Sequence, residues 1–364
     1  APDWSEGARV NQHVCIIRPS GCLLQSYLSA YLSSPAIQSL ILDENYGVTR
    51  QALTKQQVLE LEIPVPPLNE QHRIAAKLDV TLAAVDACRQ RLDGVAAILK
   101  RFRQAVLAAA TSGDLTREWR EERGLADSWK TKVLSEIADS RLGKMLDQGK
   151  NTGQLTPYLR NINVRWFSFD LEDIQEIRLA DTEIIDLDVR FGDLLVCEGG
   201  EPGRCAVWRG EDSKYTFQKA LHRVRTSKHL LADYLSFCLS NSASNGKLEQ
   251  LFTGTTIKHL TGASLKKFQI LLPSREEQEE IVDRVESLFT LADQLEARLT
   301  SARKIIDRLT PALLAKAFRG ELVPQDPNDE PASVLLERIR AARQVDAGAG
   351  KSSGRGRKKA AALP

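Results

Sequence analysis

The sequence predicts an α+β protein built twice over. Each copy is a mixed globular segment that feeds a long helix, and the two long helices pack as an antiparallel coiled coil. Three observations carry this. From Leu68 to Gly113 no proline interrupts the chain, and apolar or small residues recur every seven positions. Adding 207 to each number (Tyr27 against Tyr234) lands on a second stretch of the same pattern, Arg275 to Gly320. Between the two lie short apolar runs separated by glycine and proline clusters, the mark of strands and tight turns.

The first helix opens at Asn69, an N-cap type, followed by Glu70, whose charge suits a helix start. Leu78, Val85, Leu92, Leu99 and Val106 form one seam position; Thr81, Cys88, Val95, Phe102 and Ala109 form the other. Sustained over this many heptads, the spacing predicts a coiled-coil seam. At ~1.5 Å per residue the helix is roughly 65 Å long and needs a partner of matching length. The second copy supplies it through Val285, Leu288, Leu295, Leu299 and Ile306. An antiparallel arrangement follows because a whole globular segment separates the helices and must return the chain to the far end. Pro311 predicts a kink or a restart in the second helix.

The duplication extends beyond the helices. Tyr27-Leu28-Ser29 recurs as Tyr234-Leu235-Ser236, and Gly47, Thr49, Leu53 and Thr54 as Gly254, Thr256, Leu260 and Thr261. Pro66, Glu70, Gln71 and Ile74 recur as Pro273, Glu277, Gln278 and Ile281. Under this offset Val10 matches Phe217, so the counterpart of residues 125 to 216 is expected to precede Ala1, and the chain reads as a fragment or truncation of a longer two-unit protein.

In chain order, residues 1–67 are the end of the first globular domain, with a strand at Val14 to Arg18, a helix near Leu24 to Leu42 and a strand at Leu61 to Pro66. The long helix occupies 68–113 and a polar connector 114–128. The second globular domain, 129–274, has strands at Ile184 to Leu187, Leu194 to Cys197, Cys205 to Trp208 and Ala220 to Val224, and a helix at Leu230 to Ser240. The second long helix is 275–320. A loop with a short helix, Ala332 to Arg343, occupies 321–343, and a basic, Gly/Ala-rich tail expected to be disordered fills 344–364.

Composition excludes several classes. No apolar run approaches the ~20 residues of a membrane span. Six cysteines without a CxxC pair read as reduced thiols of a cytoplasmic protein. The five histidines are scattered, and no phosphate loop, zinc-binding helix or other metal-ligand spacing occurs. No catalytic residue and no metal site is expected. Gly199 to Arg204 (GGEPGR) is either a tight turn between two strands or a loop that brings Arg204 to a ligand.

Charge is more informative. From Lys214 to Lys267 nine basic residues face two acidic ones, while Asp170 to Asp193 is acidic. Such a segment is either an ordinary solvated face or a DNA-facing surface, in which Lys and Arg neutralise phosphates while Asn, Gln, Arg and Thr read base edges. The repeated GxTxxxLT frame reads as a capping turn, its glycine permitting positive φ and its threonine capping a helix. Its inserts differ, Arg50-Gln51 in one copy and Ile257-Lys258-His259 in the other, as two readers of different sequences require.

PVPPLNEQHRIAAKLD (64–79), ILLPSREEQEEIVDRVESLF (270–289), LAKAFRGELVPQDPNDEPASVLLERIRAAR (314–343), GKMLDQGKNTGQLTPYLRNINVRW (143–166) and GDLLVCEGGEPGR (192–204) resemble, in the expected order, the specificity subunit of type I restriction-modification systems. The resemblance implies two target-recognition domains that each read one half of a split site in double-stranded DNA. It also implies antiparallel spacer helices, docking of methyltransferase subunits on them, and a motor-nuclease subunit in the complex. It implies no catalytic residue in this chain, with S-adenosylmethionine, ATP and Mg held by partner subunits. The DNA-contact candidates are Arg160, Asn161, Asn163, Arg204, Gln218, Lys219, Arg223, Arg225, Thr256, Lys258 and His259, with Thr49, Arg50 and Gln51 in the first copy. The competing readings are a coiled-coil protein-interaction scaffold and a piece of a single-chain restriction-methyltransferase. The latter requires an Asn-Pro-Pro-Tyr type loop that does not occur in this sequence.

Overall fold

A computed structural model of the chain describes residues 9–11, 14–19, 21–43, 53–125, 129–145 and 151–341. In chain order these form α1 (Gln25–Leu32), α2 (Pro35–Asp43), α3 (Lys55–Glu60) and α4 (Leu68–Ser112), then α5 (Arg117–Glu122), β1 (Lys130–Val133), α6 (Leu134–Ile137), β2 (Ala138–Leu142) and β3 (Gln154–Leu159). A single turn at Asn161–Asn163 leads into β4 (Val164–Arg165), β5 (Ser168–Phe169), β6 (Gln175–Leu179), α7 (Asp181–Asp186), β7 (Leu194–Cys197) and β8 (Cys205–Val207). The chain closes with β9 (Thr216–Phe217), β10 (Leu221–Thr226), α8 (Ala232–Ser244), α9 (Gly262–Leu265), β11 (Gln269–Leu272) and α10 (Arg275–Phe318), and residues 332–341 are helical. Contacts divide the chain into two units, Ala1–Val95 with Arg298–Pro364, and Ala96–Ala297.

In the first unit, Tyr27 of α1 packs with Ile74 and Leu78 of α4 and with Leu314 and Ala317 of α10. Its ring and that of Tyr31 meet Phe318 edge-on. The helices run antiparallel here. Arg89 reaches Asp307 at 3.5 Å, Asp93 reaches Arg303 at 2.7 Å, and Arg73 reaches Asp329 at 2.6 Å.

In the second unit, the order β2-β10-β7-β8 builds an antiparallel sheet, and β6-β3-β9 a smaller mixed one. β1 pairs with β11 from Lys130 opposite Leu272 to Val133 opposite Gln269. The core joins Leu194, Val196 and Val224 of the sheet to α8, to Val106, Leu107 and Ala110 of α4, and to Ile281 and Val285 of α10. The helices are again antiparallel: Arg103 pairs with Asp293 and Glu296, and Arg284 donates to the Leu115 carbonyl at 2.8 Å.

The duplication reaches individual hydrogen bonds. In the first unit Gln71 accepts from the Leu24 amide at 2.8 Å and donates to the Cys22 and Pro66 carbonyls, while the Tyr27 hydroxyl donates to Pro64. In the second, Gln278 accepts from Leu231 at 2.8 Å and donates to His229 and Pro273, and Tyr234 donates to Leu271. Every pair is related by the same offset. A buried glutamine satisfying three backbone groups thus fastens each globular segment to the start of its long helix.

Several expected elements differ. No strand forms at 14–18. The helix foreseen over 24–42 is two helices, because the residue before Pro35 is driven out of the helical region. Residues 61–67 form no strand, whereas the equivalent β11 has β1 beside it. Residues 184–187 begin in a helix, not a strand: Glu183 accepts from the Ala180 amide at 3.2 Å and starts α7, whose Ile185 faces solvent. α10 continues through Pro311 with no restart. One lost hydrogen bond is tolerated where Leu314 and Ala317 anchor the following turn. The capping threonine of the repeated frame is its last one. Thr54 caps α3 and Thr261 caps α9, while Gly254 takes φ +91°.

Of the seam, Leu78, Val85, Leu99, Val106, Val285 and Leu299 are buried, and Leu92, Leu288 and Ile306 are half-buried. Leu295 is 40% exposed, and Cys88 and Val95 of the flanking position are also exposed. A two-helix contact buries one stripe; the second is covered only where the globular segments lie against the helices. The 344–364 tail falls outside the described residues.

Candidate nucleic-acid interface

The second unit brings four separate segments to one place. β7 and β8 are joined by the Gly199–Arg204 loop, closed by the Cys197 amide on Arg204 (2.8 Å) and the Gly203 amide on Cys197 (2.9 Å). Gly200 and Gly203 adopt φ +80° and +90°, which only glycine takes without strain. The turn reading of GGEPGR therefore holds. It is a turn between two strands, and it carries Arg204 to the surface of the turn before β4.

That turn is organised by Asn163. Its side-chain oxygen accepts from the Arg160 amide at 2.9 Å, and its amide group donates to the Asp170 and Asp173 carbonyls. Arg204 grips the same turn, Nη2 donating to the Asn161 carbonyl at 2.9 Å, while Nη1 pairs with Glu201. Glu201 also accepts from the Trp166 indole at 2.8 Å.

Two further segments meet the loop from its other side. Thr253 and His259 exchange backbone hydrogen bonds and close a hairpin whose tip is residues 254–258, and the Leu260 amide donates to Glu198 at 2.8 Å. The Glu198 amide donates to Ala220, the Gln218 amide to Leu159 and the Lys219 amide to Lys144. Close approach requires glycine here. A Cβ on Gly199 would lie 3.1 Å from His259 Nδ1, and one on Gly200 would lie 3.0 Å from Asn161 Nδ2. Lys144, Met145, Glu198, Gln218 and Lys219 line a shallow hollow of 320 Å³ on this face.

Electrostatics sorts the candidate residues. Arg223 is buried, its Nη1 donating to Asp188 Oδ1 at 2.9 Å and to the Asp188 and Asp186 carbonyls. Arg225 holds Asp188 and Asp193, both at about 2.8–2.9 Å. Burial pushes the Asp188 carboxyl up, but hydrogen bonds from Arg225 and Arg190 outweigh it and hold the group below the usual range. The acidic and basic blocks of the sequence thus neutralise one another across β10 and the segment before β7. Burial also pushes the Cys197 thiol up to about 11 and Cys238 up to about 12, so neither is a ready thiolate. His222 is buried against the Leu260 carbonyl, and burial lowers its pKa. Among the described residues no group of His, Cys, Asp and Glu is arranged to hold a metal ion, and no helix is long and apolar enough to cross a membrane.

This architecture and the arrangement of motifs have counterparts among known proteins. Residues 5–95 and 126–302 match the model of the type I restriction modification DNA specificity domain. The chain belongs to that family. It is 32% identical over 347 residues to the EcoKI specificity subunit of Escherichia coli K12, covering 92% of this chain and 75% of the relative. It is 33% identical over 368 residues to the EcoBI specificity subunit of Escherichia coli, covering 94% and 77%. In fold it is similar to a chain from a structure of the type I R-M system, with TM-score 0.64 at 22% identity over 81% of this chain and 71% of that one. It is also similar to the HsdS subunit of Thermoanaerobacter tengcongensis, with TM-score 0.51 at 22% identity over 82% and 70%. By this membership the chain is a recognition subunit of a restriction enzyme, not a catalytic one.

Within this specificity-domain frame, Asn161, Arg204, Gln218, Lys219 and His259 come together around the Gly199–Gly200 dipeptide, with Thr256 and Lys258 exposed on the hairpin. Lys258 pairs with Glu249 at 2.8 Å. Asn163 is buried and Arg160 is bound to Asp173, so both shape the turn from within. Arg223 and Arg225 belong to the internal ion-pair network and not to this face. Thr49, Arg50 and Gln51 lie outside the described residues. Sequence reasoning missed Lys144, Met145, Trp166 and Ile162. All four lie in a stretch that carried the family resemblance, but nothing in their spacing singled them out.

Proposed function

We propose that this chain reads a bipartite site in double-stranded DNA, and that the second unit's face around Gly199–Gly200 reads one half of it. The supporting observation is the convergence of Asn161, Arg204, Gln218, Lys219 and His259 on loops fixed by glycine contacts and backbone hydrogen bonds. Asn and Gln offer the paired donor and acceptor that adenine demands and Lys219 a charge for phosphate, while Arg204, bound to Glu201 and to the Asn161 carbonyl, holds the turn that presents Asn161. Lys219 carries no ion pair among the described residues, which leaves it available for that role.

The methyltransferase subunits dock on the long helices, where Val80 and Val95 in the first unit and Ile98, Leu291 and Leu295 in the second expose apolar surface. The motor-nuclease subunit joins that complex in the cytoplasm. S-adenosylmethionine, ATP and Mg belong to those partners, and this chain supplies recognition alone.

The test is duplex binding by the full chain at several salt concentrations, on a site found by mapping methylated adenines in cells that carry the system. Lys219→Ala weakens binding to cognate and scrambled duplexes alike and lowers the slope of log K against log salt by about one. Salt-independent or absent duplex binding refutes the proposal and favours a protein-binding scaffold.

A further inference from the structure

The polar face around Gly199–Gly200 carries two large apolar side chains in solvent. Ile257 is 66% exposed at the tip of the Thr253–His259 hairpin, and Ile162 is 42% exposed in the Asn161–Asn163 turn. Neither belongs to a hydrophobic core. Each sits next to a side chain in close contact with the dipeptide. Asn161 abuts Gly200, and His259, two residues after Ile257, abuts Gly199. The hairpin that lifts Ile257 is fixed by the Thr253–His259 hydrogen bonds and by Gly254 at φ +91°.

Exposed apolar side chains are common singly, but two of them on the polar face around one dipeptide offer apolar surface to whatever that face binds. The surroundings say what that is. Ile257 lies between Thr256 and Lys258, with Lys219 and Arg204 on the neighbouring segments. Lys258 and Arg204 already pair with Glu249 and Glu201, but Lys219 has no ion pair among the described residues; a greasy protein surface would leave it so, whereas duplex DNA offers that lysine a phosphate. Within the major groove it offers one apolar group, the C5-methyl of thymine.

We propose that Ile257, assisted by Ile162, is a specificity-determining residue that recognises thymine through its C5-methyl group. This rests on the DNA-reading role of the face and adds the chemistry that the polar residues lack. Asn and Gln read hydrogen-bonding edges. They do not register the methyl that distinguishes thymine from a bare pyrimidine acceptor.

The decisive experiment removes the methyl from the DNA and the side chain from the protein, separately and together. The full chain is titrated with duplexes of the mapped site in which each thymine in turn is replaced by deoxyuridine. Burying one methyl is worth ~0.8 kcal/mol, so one position should weaken by about fourfold. Ile257→Ala should weaken the unmodified site by a similar factor and lose sensitivity to that same deoxyuridine, with the salt slope unchanged. Ile162→Ala reports a second position in the same way. Ile257→Val, which keeps the branched methyls, should retain sensitivity.

If the parent chain binds with normal salt dependence but no deoxyuridine matters, the inference falls while the DNA-reading role stands. Equal sensitivity in parent and Ile257→Ala also overturns it. Loss of methyltransferase-subunit assembly by Ile257→Ala, with its DNA affinity intact, would make the hairpin a protein contact instead and overturn it. Absence of any duplex binding by the parent overturns both readings at once.

Discussion

Arg223→Met separates two roles that its position in a basic segment leaves open. The guanidinium donates to Asp188 Oδ1 at 2.9 Å and to the Asp188 and Asp186 carbonyls from an interior site. Methionine retains the apolar stem and removes these donors. Breaking a buried pair by deleting one partner costs ~3–5 kcal/mol, because the remaining charge is stranded. Here Arg225 and Arg190 still touch Asp188, which places the loss near the lower end, about 3 kcal/mol. For a unit of the size of Ala96–Ala297, each kcal/mol is worth ~2–4 °C, so the melting transition should fall by about 6–12 °C. The assay is thermal unfolding by near-ultraviolet circular dichroism, paired with duplex binding well below the transition. The salt slope should stay at the parental value, since no phosphate contact has been removed. An unchanged melting temperature with a slope reduced by one would place Arg223 on the DNA and refute the internal assignment.

Leu99 is buried on the seam, so Leu99→Asp should destabilise the second unit by several kcal/mol and impair assembly with partner subunits, seen in thermal melts and co-purification. Unchanged melting would overturn the seam. Gln278→Leu deletes three hydrogen bonds to the backbone and should cost about 3 kcal/mol, read by denaturant unfolding; a loss under 1 kcal/mol would show that the clamp is incidental. Stability should also depend on pH in a defined direction. The buried His222 has a lowered pKa, so the unfolded chain binds its proton first, and the His222 contribution is lost as pH falls below about 6.5 and through the folded value. His222→Gln should flatten that part of the profile, and a profile indistinguishable from the parent would exclude His222 as its cause.

What the sequence made legible was whatever is periodic or repeated. Heptads located α4 and α10, since a long amphipathic stripe has few alternatives to a helix. The repeat offset located the clamp residues Gln71 and Gln278 before their hydrogen bonds were known. Strands β7, β8 and β10 were visible as short apolar runs because they are buried on the sheet. The run at 184–187 misled because apolar content alone cannot distinguish a strand from a half-exposed helical turn, and Glu183 decided in favour of the helix. Charge density misled in a different way. Arg223 and Arg225 alternate along β10, and which face of a strand turns toward Asp188 and Asp193 depends on a pairing partner distant in sequence. The face around Gly199 was legible only as separate candidate segments, because its unity comes from contacts between residues distant in sequence, such as Lys144 with Lys219 and Gly199 with His259.

The same duplication also shows how a fixed frame can carry different contents. Glu70 and Glu277 occupy equivalent, buried positions one residue before the clamp glutamine. Glu277 is surrounded by donors from the connector and its neighbourhood: the Thr116 hydroxyl at 2.7 Å, the Trp129 indole at 2.9 Å, and Arg120. At the same offset Thr116 and Arg120 become Val323 and Pro327, neither of which offers a side-chain donor. The clamp glutamine needs only backbone carbonyls and an amide, which any sequence supplies, and so it functions identically in both copies. The glutamate needs particular side chains, and the copies diverge there. Hydrogen bonds to the backbone hold the repeated frame, which leaves the side chains of the loops between Leu159 and Leu260 free to specify what is bound.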